Sequence, residues 1–430
     1  MKHYTGTLLL FLFISFSYSQ PTVAVQMGSD IDGEAGCDGM YDSCDNSGHS
    51  VSLSSDGTIV AIGANGNDGN GDYAGHVRVY EYSGSDWMQL GSDIDGEAAG
   101  DESGQSVSLS ADGTIVAIGA TNNDGNGEAA GHVRVYEYSE GDWVQLGSDI
   151  DGEAAGDNLG HSVSLSSDGT IVAIGATKRY HIEDAGHVRV FQYIAGNWLQ
   201  LGSDIDSEAA GDHSGWSVSL SSDGTIVAIG ALQNDGNGEG AGHVRVYEYS
   251  GGDWVQLGSD IDGEAEWDHS GWSVSLSSDG TIVAIGASRN DDNGNKSGHV
   301  RVYEYSGSDW VQLGSDIDGE AADDDSGSSV SISSDGTIVA IGANRNDGSN
   351  GEGAGHVRVY EYSGGDWGQL GSDIDGEAAG DNSGHSVSLS SDGTIVAIGA
   401  FSNDGNRGHV RVYSIGDIQD GYTYVPDDNF

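Results

Sequence analysis

The sequence predicts an all-β protein: a seven-bladed β-propeller with four antiparallel strands in each blade, closed by a strand from the N-terminus. Three observations carry this prediction. The marker Gly-Ser-Asp-Ile-Asp begins at Gly28, Gly91, Gly147, Gly202, Gly258, Gly314 and Gly371, at spacings of 63, 56, 55, 56, 56 and 57 residues. Each repeat offers four short strand patterns and no helical one. The last repeat lacks its fourth strand, and a segment of matching pattern stands ahead of the first marker.

The strands are easiest to follow in the second repeat. Val-Ser-Leu-Ser at 107–110 alternates apolar and polar residues, which is the period of a strand. Ala-Asp-Gly at 111–113 makes a tight turn, with Gly113 free to adopt positive φ. Thr-Ile-Val-Ala-Ile at 114–118 is a continuous apolar run, expected of a strand covered on both faces. A polar loop at 122–128 leads to His-Val-Arg-Val-Tyr-Glu-Tyr at 132–138, and a turn at 139–142 leads to Trp-Val-Gln-Leu at 143–146. Four strands repeated seven times suit propeller blades, and a closed ring leaves only short edges. The seventh repeat has a third strand at 409–413 but no Trp-Val-Gln-Leu after it, whereas Val-Ala-Val-Gln-Met stands at 23–27. A β-solenoid is the rival architecture, but its coils repeat at shorter periods and need no displaced strand.

Composition sets outer limits. A chain of 430 residues would ordinarily divide into two or three domains, but a periodic chain is read by its period. There are 69 Asp and Glu against 14 Lys and Arg, a formal charge of -55. That field repels nucleic acid and anionic membranes and attracts cations and basic partners. Hydrophobic residues make up 36%, enough for a core, so acidity here does not imply disorder. Residues 1–19 read as a signal peptide: Lys2 and His3, an apolar run at 8–16 too short to span a bilayer, then small residues before Gln20. No later run is long enough to span. Residues 20–416 form the expected propeller, a monomeric ring, secreted or at a cell surface. Residues 417–430 read as a tail that opens a further region. Cys37 and Cys44, in an insertion of the first repeat, are expected to pair in an oxidising compartment; a metal site is the weaker reading.

The unit Ser-Gly-x-Ser-Val-Ser-Leu-Ser-Ser-Asp-Gly-Thr-Ile-Val-Ala-Ile-Gly-Ala, followed by Gly-His-Val-Arg-Val-Tyr-Glu-Tyr and Asp-Trp, resembles the FG-GAP repeat of integrin α-subunit propellers and bacterial surface proteins. The likeness spans residues 21–415. The Phe of the Phe-Gly pair is replaced by Ser47, Ser103, Leu159 and Ser214, while Gly48, Gly104, Gly160 and Gly215 keep its Gly. The Gly-Ala-Pro element survives without Pro at Gly63-Ala64 and Gly119-Ala120. The resemblance implies extracellular adhesion or ligand binding, often with Ca²⁺. Integrin-type Ca²⁺ loops join the first two strands of a blade. Here that connection is a short turn such as Ser55-Asp56-Gly57, so those sites do not carry over.

Two other acidic segments remain as candidate Ca²⁺ ligands. Blade connections carry Asp30, Asp32 and Glu34, or Asp149, Asp151 and Glu153. Second-to-third loops carry Asp68, Asn70 and Asp72; Asp124, Asn126 and Glu128; Asp235, Asn237 and Glu239. Both place oxygens at alternate positions, as hard cations require, and propeller topology puts both on one face. The loops depart from an EF-hand, with Tyr73 or Ala129 where Gly is needed. The third repeat replaces its loop with residues 178–182.

His132 and Arg134 recur in every repeat and are therefore read as blade-building residues, with Arg134 expected to pair with the Asp before Trp143. Trp143 and its equivalents are expected to pack between blades. Differences between repeats point elsewhere. After the kept Gly come His49, Gln105, His161, Trp216, Trp272, Ser328 and His385, which start the first strand at the channel mouth on the acidic face. Of these, His49, His161, Trp216, Trp272 and His385 are the candidate ligand contacts. No Gly-x-Ser-x-Gly elbow, His-Glu-x-x-His motif or phosphate loop occurs. The expected function is a non-catalytic binding module for an extracellular protein or glycan. A polysaccharide-active enzyme using His49, His161 and His385, or a spacer in a larger surface protein, are the alternatives.

Overall fold

In the computed structural model, residues 22–37, 44–177 and 185–417 are described. The expected signal segment, the replaced loop at 178–182 and the tail from residue 418 lie outside them. The described residues form seven antiparallel sheets arranged as the blades of a propeller.

Blade 2 is representative. Its strands are Ser106–Leu109, Ile115–Ala120, His132–Ser139 and Asp142–Gln145, in that spatial order from the axis outward. The first turn is built by side chains: Asp112 Oδ1 accepts from the Thr114 amide, Thr114 Oγ1 and Ser110 Oγ, and Ser110 Oγ accepts from the Ile115 amide. Partial burial of Asp112 opposes ionisation, but these bonds outweigh it and hold the carboxyl below its usual range. The fourth strand is broken. After Asp142–Gln145 the chain kinks, and Ile150–Asp151 rejoins the sheet opposite His132 and Val133. The marker Ser-Asp-Ile-Asp is thus half strand, where the sequence suggested only a blade connection.

Each blade turns one apolar face to its predecessor and the other to its successor. Val107, Leu109, Val116, Ile118, Tyr136 and Trp143 of blade 2 meet Ala61, Val77, Val79 and Ile94 of blade 1. Val116, Ala117 and Val133 have no exposed surface. Burying a Val or Ile contributes roughly 1.5–3 kcal/mol before ordering entropy is subtracted. Tyr138 stacks obliquely on Trp143, and Trp143 Nε1 donates to the Leu90 carbonyl of blade 1 at 2.8 Å.

Ring closure uses the two termini of the described chain. Thr22–Gln26 pairs with His409–Asp417, with Ala24 opposite Ile415 and Gln26 opposite Tyr413. Ile31–Asp32 then pairs with the start of that same strand. Ala340, Val357 and Val359 of blade 6 pack on Val396, Ile398, Tyr413 and Ile415 of blade 7, with Ile415 and Ala24 standing where the other junctions have Tyr and Trp. At the face away from the blade connections, seven backbone bonds circle the axis. Ser55 N donates to Ala111 O at 2.8 Å, and the series continues through Ser167, Ser222, Ser278, Ser334 and Ser391 until Ser391 N donates to Ser55 O. A pocket of about 150 Å³ lies within this end, lined by the Leu53 and Ser55 rings. At Asn403–Asn406 the second-to-third loop of blade 7 makes a tight turn, with Asp404 and Gly405 in the left-handed region.

Candidate functional site

The face carrying the blade connections has an outer rim of charge and an inner mouth of variable residues. The rim begins with Arg134, buried on the third strand near that face. Its Nη2 donates to the Asp95 carbonyl at 2.7 Å, and its Nη1 lies 3.7 Å from Glu97 Oε1. The guanidinium also lies over the Tyr136 ring, 5.5 Å from its centroid. The carboxylate partner is therefore Glu97, from the preceding connection, and not the Asp before Trp143. The third strand runs from one face to the other, so Arg134 and Asp142 sit at opposite ends. Asp142 instead accepts from the Ser92 and Trp143 amides, which hold its carboxyl below the usual range.

The predicted cation loops have defined hydrogen-bond roles. Asp68 accepts from Tyr73 N, Asp124 from Ala129 N and Asp235 from Gly240 N, each at 2.8 Å, closing the loop on itself. Asn70, Asn126 and Asn237 donate their amides to the carbonyls of Gly96, Gly152 and Gly263. These bonds stitch each loop to the next blade connection, so both acidic segments share one rim. Carboxylates and histidines close enough to hold a metal ion come together in a different combination. His132, Glu97 and Asp149 form one such group, and Asp30, Glu377 and His409 another. Asp72, Glu128 and Glu239 are not members of these two groups. Sequence reasoning missed these groups because their members come from three separate segments: the connection, the start of the third strand and the kink of the fourth. His132 is buried, and desolvation followed by the Arg134 charge holds its pKa below the usual value.

At the mouth, the kept Gly explains the repeat. Gly104 has φ +89°, and a Cβ there would lie 2.6 Å from the His76 carbonyl. The chain can turn into the first strand only through glycine at this point. The next residue then starts the first strand at the mouth. His161 and Trp216 rings lie 4.5 Å apart, Trp216 and Trp272 5.3 Å, and His269 stacks on Trp272 at 6.2 Å. Arg289 covers Trp272 at 5.9 Å. Opposite, His385 contacts His49 at 5.0 Å and Phe401 at 4.5 Å. Desolvation pushes His385 and His269 each down to about 4, with Arg289 adding to the effect at His269. The two arcs are separated by polar positions: Gln105 accepts from Asn65, and Arg345 pairs with Asp325 at 3.1 Å. The structure thus brings His49, His161, Trp216, Trp272 and His385 to one mouth, in two arcs. It also adds Phe401, His269 and Arg289, signalled in the sequence only as further positions that differ between repeats. Trp267 stands outside the arc, half exposed, at φ 68° where the connections into blades 2, 3, 4 and 7 have Gly100, Gly156, Gly211 and Gly380.

Cys37 and Cys44 are joined by a disulfide in the connection from blade 7 to blade 1, near Asn406.

The FG-GAP repeat family matches residues 206–247 and 260–303. These stretches run from the fourth-strand kink of one blade into the third strand of the next, and the same sequence pattern recurs in all seven repeats. The two matched stretches are FG-GAP repeats. At the position of the family's Phe this propeller carries small or buried residues, and Ser103 there bridges directly to Gly75 of the neighbouring blade. No curated protein sequence matches the chain. Among solved structures, Kuenenia stuttgartiensis hydrazine synthase is similar with a TM-score of 0.58 at 13% identity, covering 89% of this chain and 100% of that one. A putative 6-phosphogluconolactonase from Bacteroides uniformis and a periplasmic gluconolactonase from Pseudomonas aeruginosa each give a TM-score of 0.52, at 14% and 16% identity. Both cover 76% of this chain and 85% of their own. At such identity the likeness is one of propeller fold. No helix among the described residues is long and apolar enough to cross a membrane.

Proposed function

We propose that this FG-GAP propeller is an exported, non-catalytic binding module that takes a glycan at the mouth of the connection-bearing face. One observation carries the reading. Seven nearly identical blades differ at the mouth, and there the differences gather Trp216, Trp272 and His161 into a continuous aromatic arc. Indole faces offer a flat apolar surface to the C–H faces of sugar rings, while neighbouring amides, imidazoles and carboxylates suit their hydroxyl edges. The acidic rim gives the same face a general attraction for cations, with Ca²⁺ at the loops of Asp68, Asp124 and Asp235 as its weak form; melting with and without chelator tests that part.

The main test is a glycan array followed by titration of the best hit against wild type, Trp216→Ser and Trp272→Ser. Serine is what blade 6 carries at Ser328, so both variants keep a residue the fold already accepts. Loss of at least about tenfold in affinity, the scale of one good aromatic contact, supports the reading. Equal binding by all three proteins, or no hit, removes it. Reducing ends released in the same mixtures would replace it with the polysaccharide-cleaving alternative.

A further inference from the structure

Blade 5 differs from the other blades in its rim. In blades 1, 2, 4 and 7, the group of metal-competent side chains is a His, a connection Glu and an Asp from the fourth-strand kink. In blade 5 a fourth member joins: Glu264, Asp292, His299 and Asp316 each bring one ligand atom, all within 4.8 Å of one another. The addition is Asp292, from the second-to-third loop. Blades 1, 2, 4, 6 and 7 have Gly69, Gly125, Gly236, Gly348 and Gly405 there.

A second observation points into the cluster. His299 has no exposed surface, and neither ring nitrogen has a hydrogen-bond partner. Its Nδ1 faces Glu264 Oε2 at 3.8 Å. A buried imidazole without partners costs stability unless something supplies a bond. Burial, with Arg301 adding to it, lowers its pKa to about 4, so it is neutral and its lone pair is available at physiological pH. The carboxylates are crowded. Burial raises Glu264 and Asp318 above their usual range, and the Asp316 and Asp292 charges raise them further; Arg301 opposes this at Glu264 and Arg358 at Asp318. Arg301 lies 3.5 Å from Glu264 but donates its other nitrogen to the Asp262 carbonyl, so one cation faces at least three anions.

We propose that blade 5 holds a borderline divalent cation of the Zn²⁺ or Mn²⁺ type, bound by His299 Nδ1 and the carboxylates of Glu264, Asp292 and Asp316. A nitrogen donor among carboxylates selects such ions over Ca²⁺, which takes oxygen ligands only. The cation removes the like-charge repulsion and supplies the bond that His299 lacks. This site is independent of the glycan reading of the mouth.

The test is calorimetric titration of the whole chain, stripped with chelator, using Zn²⁺ and Ca²⁺ against wild type, Asp292→Gly and His299→Gln. Asp292→Gly writes in the residue of five other blades, and its melting curve reports that it folds. The expected result is one Zn²⁺ site, tighter than any Ca²⁺ site, weakened at least about tenfold in Asp292→Gly and weakened likewise in His299→Gln. Absence of a Zn²⁺ site, tighter binding of Ca²⁺, or about one Zn²⁺ per blade would each overturn the assignment. So would a site unaffected by Asp292→Gly, the result expected if the mouth pair His49 and His385 took the ion instead.

Discussion

Trp143 performs two tasks at one blade junction. Its ring fills the space beneath Tyr138, and its Nε1 satisfies the Leu90 carbonyl of the blade before it. Trp143→Phe keeps an aromatic ring and abandons the carbonyl. A cost of about 1–3 kcal/mol is expected, the scale of leaving one polar group unsatisfied, read from urea unfolding. A variant as stable as wild type would mean that solvent replaces the bond. His132 gives a prediction in pH. Unfolded, it titrates near 6.5; folded, burial holds it lower. As pH falls below about 6.5, the unfolded chain binds a proton that the folded chain refuses, so stability is lost. Above 6.5 both states are neutral and nothing changes. The stability of wild type relative to His132→Gln should therefore fall between pH 7.5 and pH 5; a constant difference would contradict the burial argument. At this scale the sequence misled once. Arg134 and Asp142 are eight positions apart on adjoining strands, but a strand that long crosses the blade, and the true partner Glu97 comes from the preceding connection.

Single strands show what periodicity reveals and what it conceals. Alternation and β-branched runs located the four strands of blade 2 to within a residue or two, because each face of a blade is buried against a neighbour. Ile150–Asp151 escaped notice: two residues are too short for a pattern, and their pairing depends on a kink that only the folded fourth strand displays. The clusters around His132 and His299 escaped for a related reason, since their members lie on three or four segments that only the fold unites. Closure by Thr22–Gln26 was legible from arithmetic, one strand missing at one end and one spare at the other. Truncating the chain ahead of Met27 should strip the outer strand from blade 7, lower the melting temperature and expose an edge that invites association. Light scattering and calorimetry read both effects, and an unchanged melt would show that the strand only decorates the ring. Within the central strand, Ile118→Val should cost about 0.5–1.5 kcal/mol and Ile229→Ala about 2–5 kcal/mol, by denaturant unfolding.

For the ring as a whole, charge and repetition set the behaviour. With a formal charge of -55, the folded state concentrates repulsion that the unfolded chain dilutes. Screening shortens to about 8 Å at 0.15 M salt, so the melting temperature should rise between about 0.01 and 0.5 M NaCl. A flat response would mean that bound cations or local pairs such as Arg134 and Glu97 already neutralise the rim. Near-identity of the blades made the architecture readable and the site hard to read. Six junctions repeat the same chemistry, and only departures such as Trp272, Phe401 and Asp292 carry information about ligands.

Interchangeable units raise a question of correct assembly, and the seventh sheet answers it through size. In six blades a Tyr of the third strand faces a Trp of the fourth, as Tyr82 faces Trp87 and Tyr362 faces Trp367. In the seventh the pair is Ile415 with Ala24. The N-terminal strand brings no indole, so lodging it beside any other blade during folding would leave a Tyr without its stacking partner and a hole where the Trp belongs. Mispairing is thereby penalised at six of seven addresses, and the molecule sorts its own ends by the volume of two side chains.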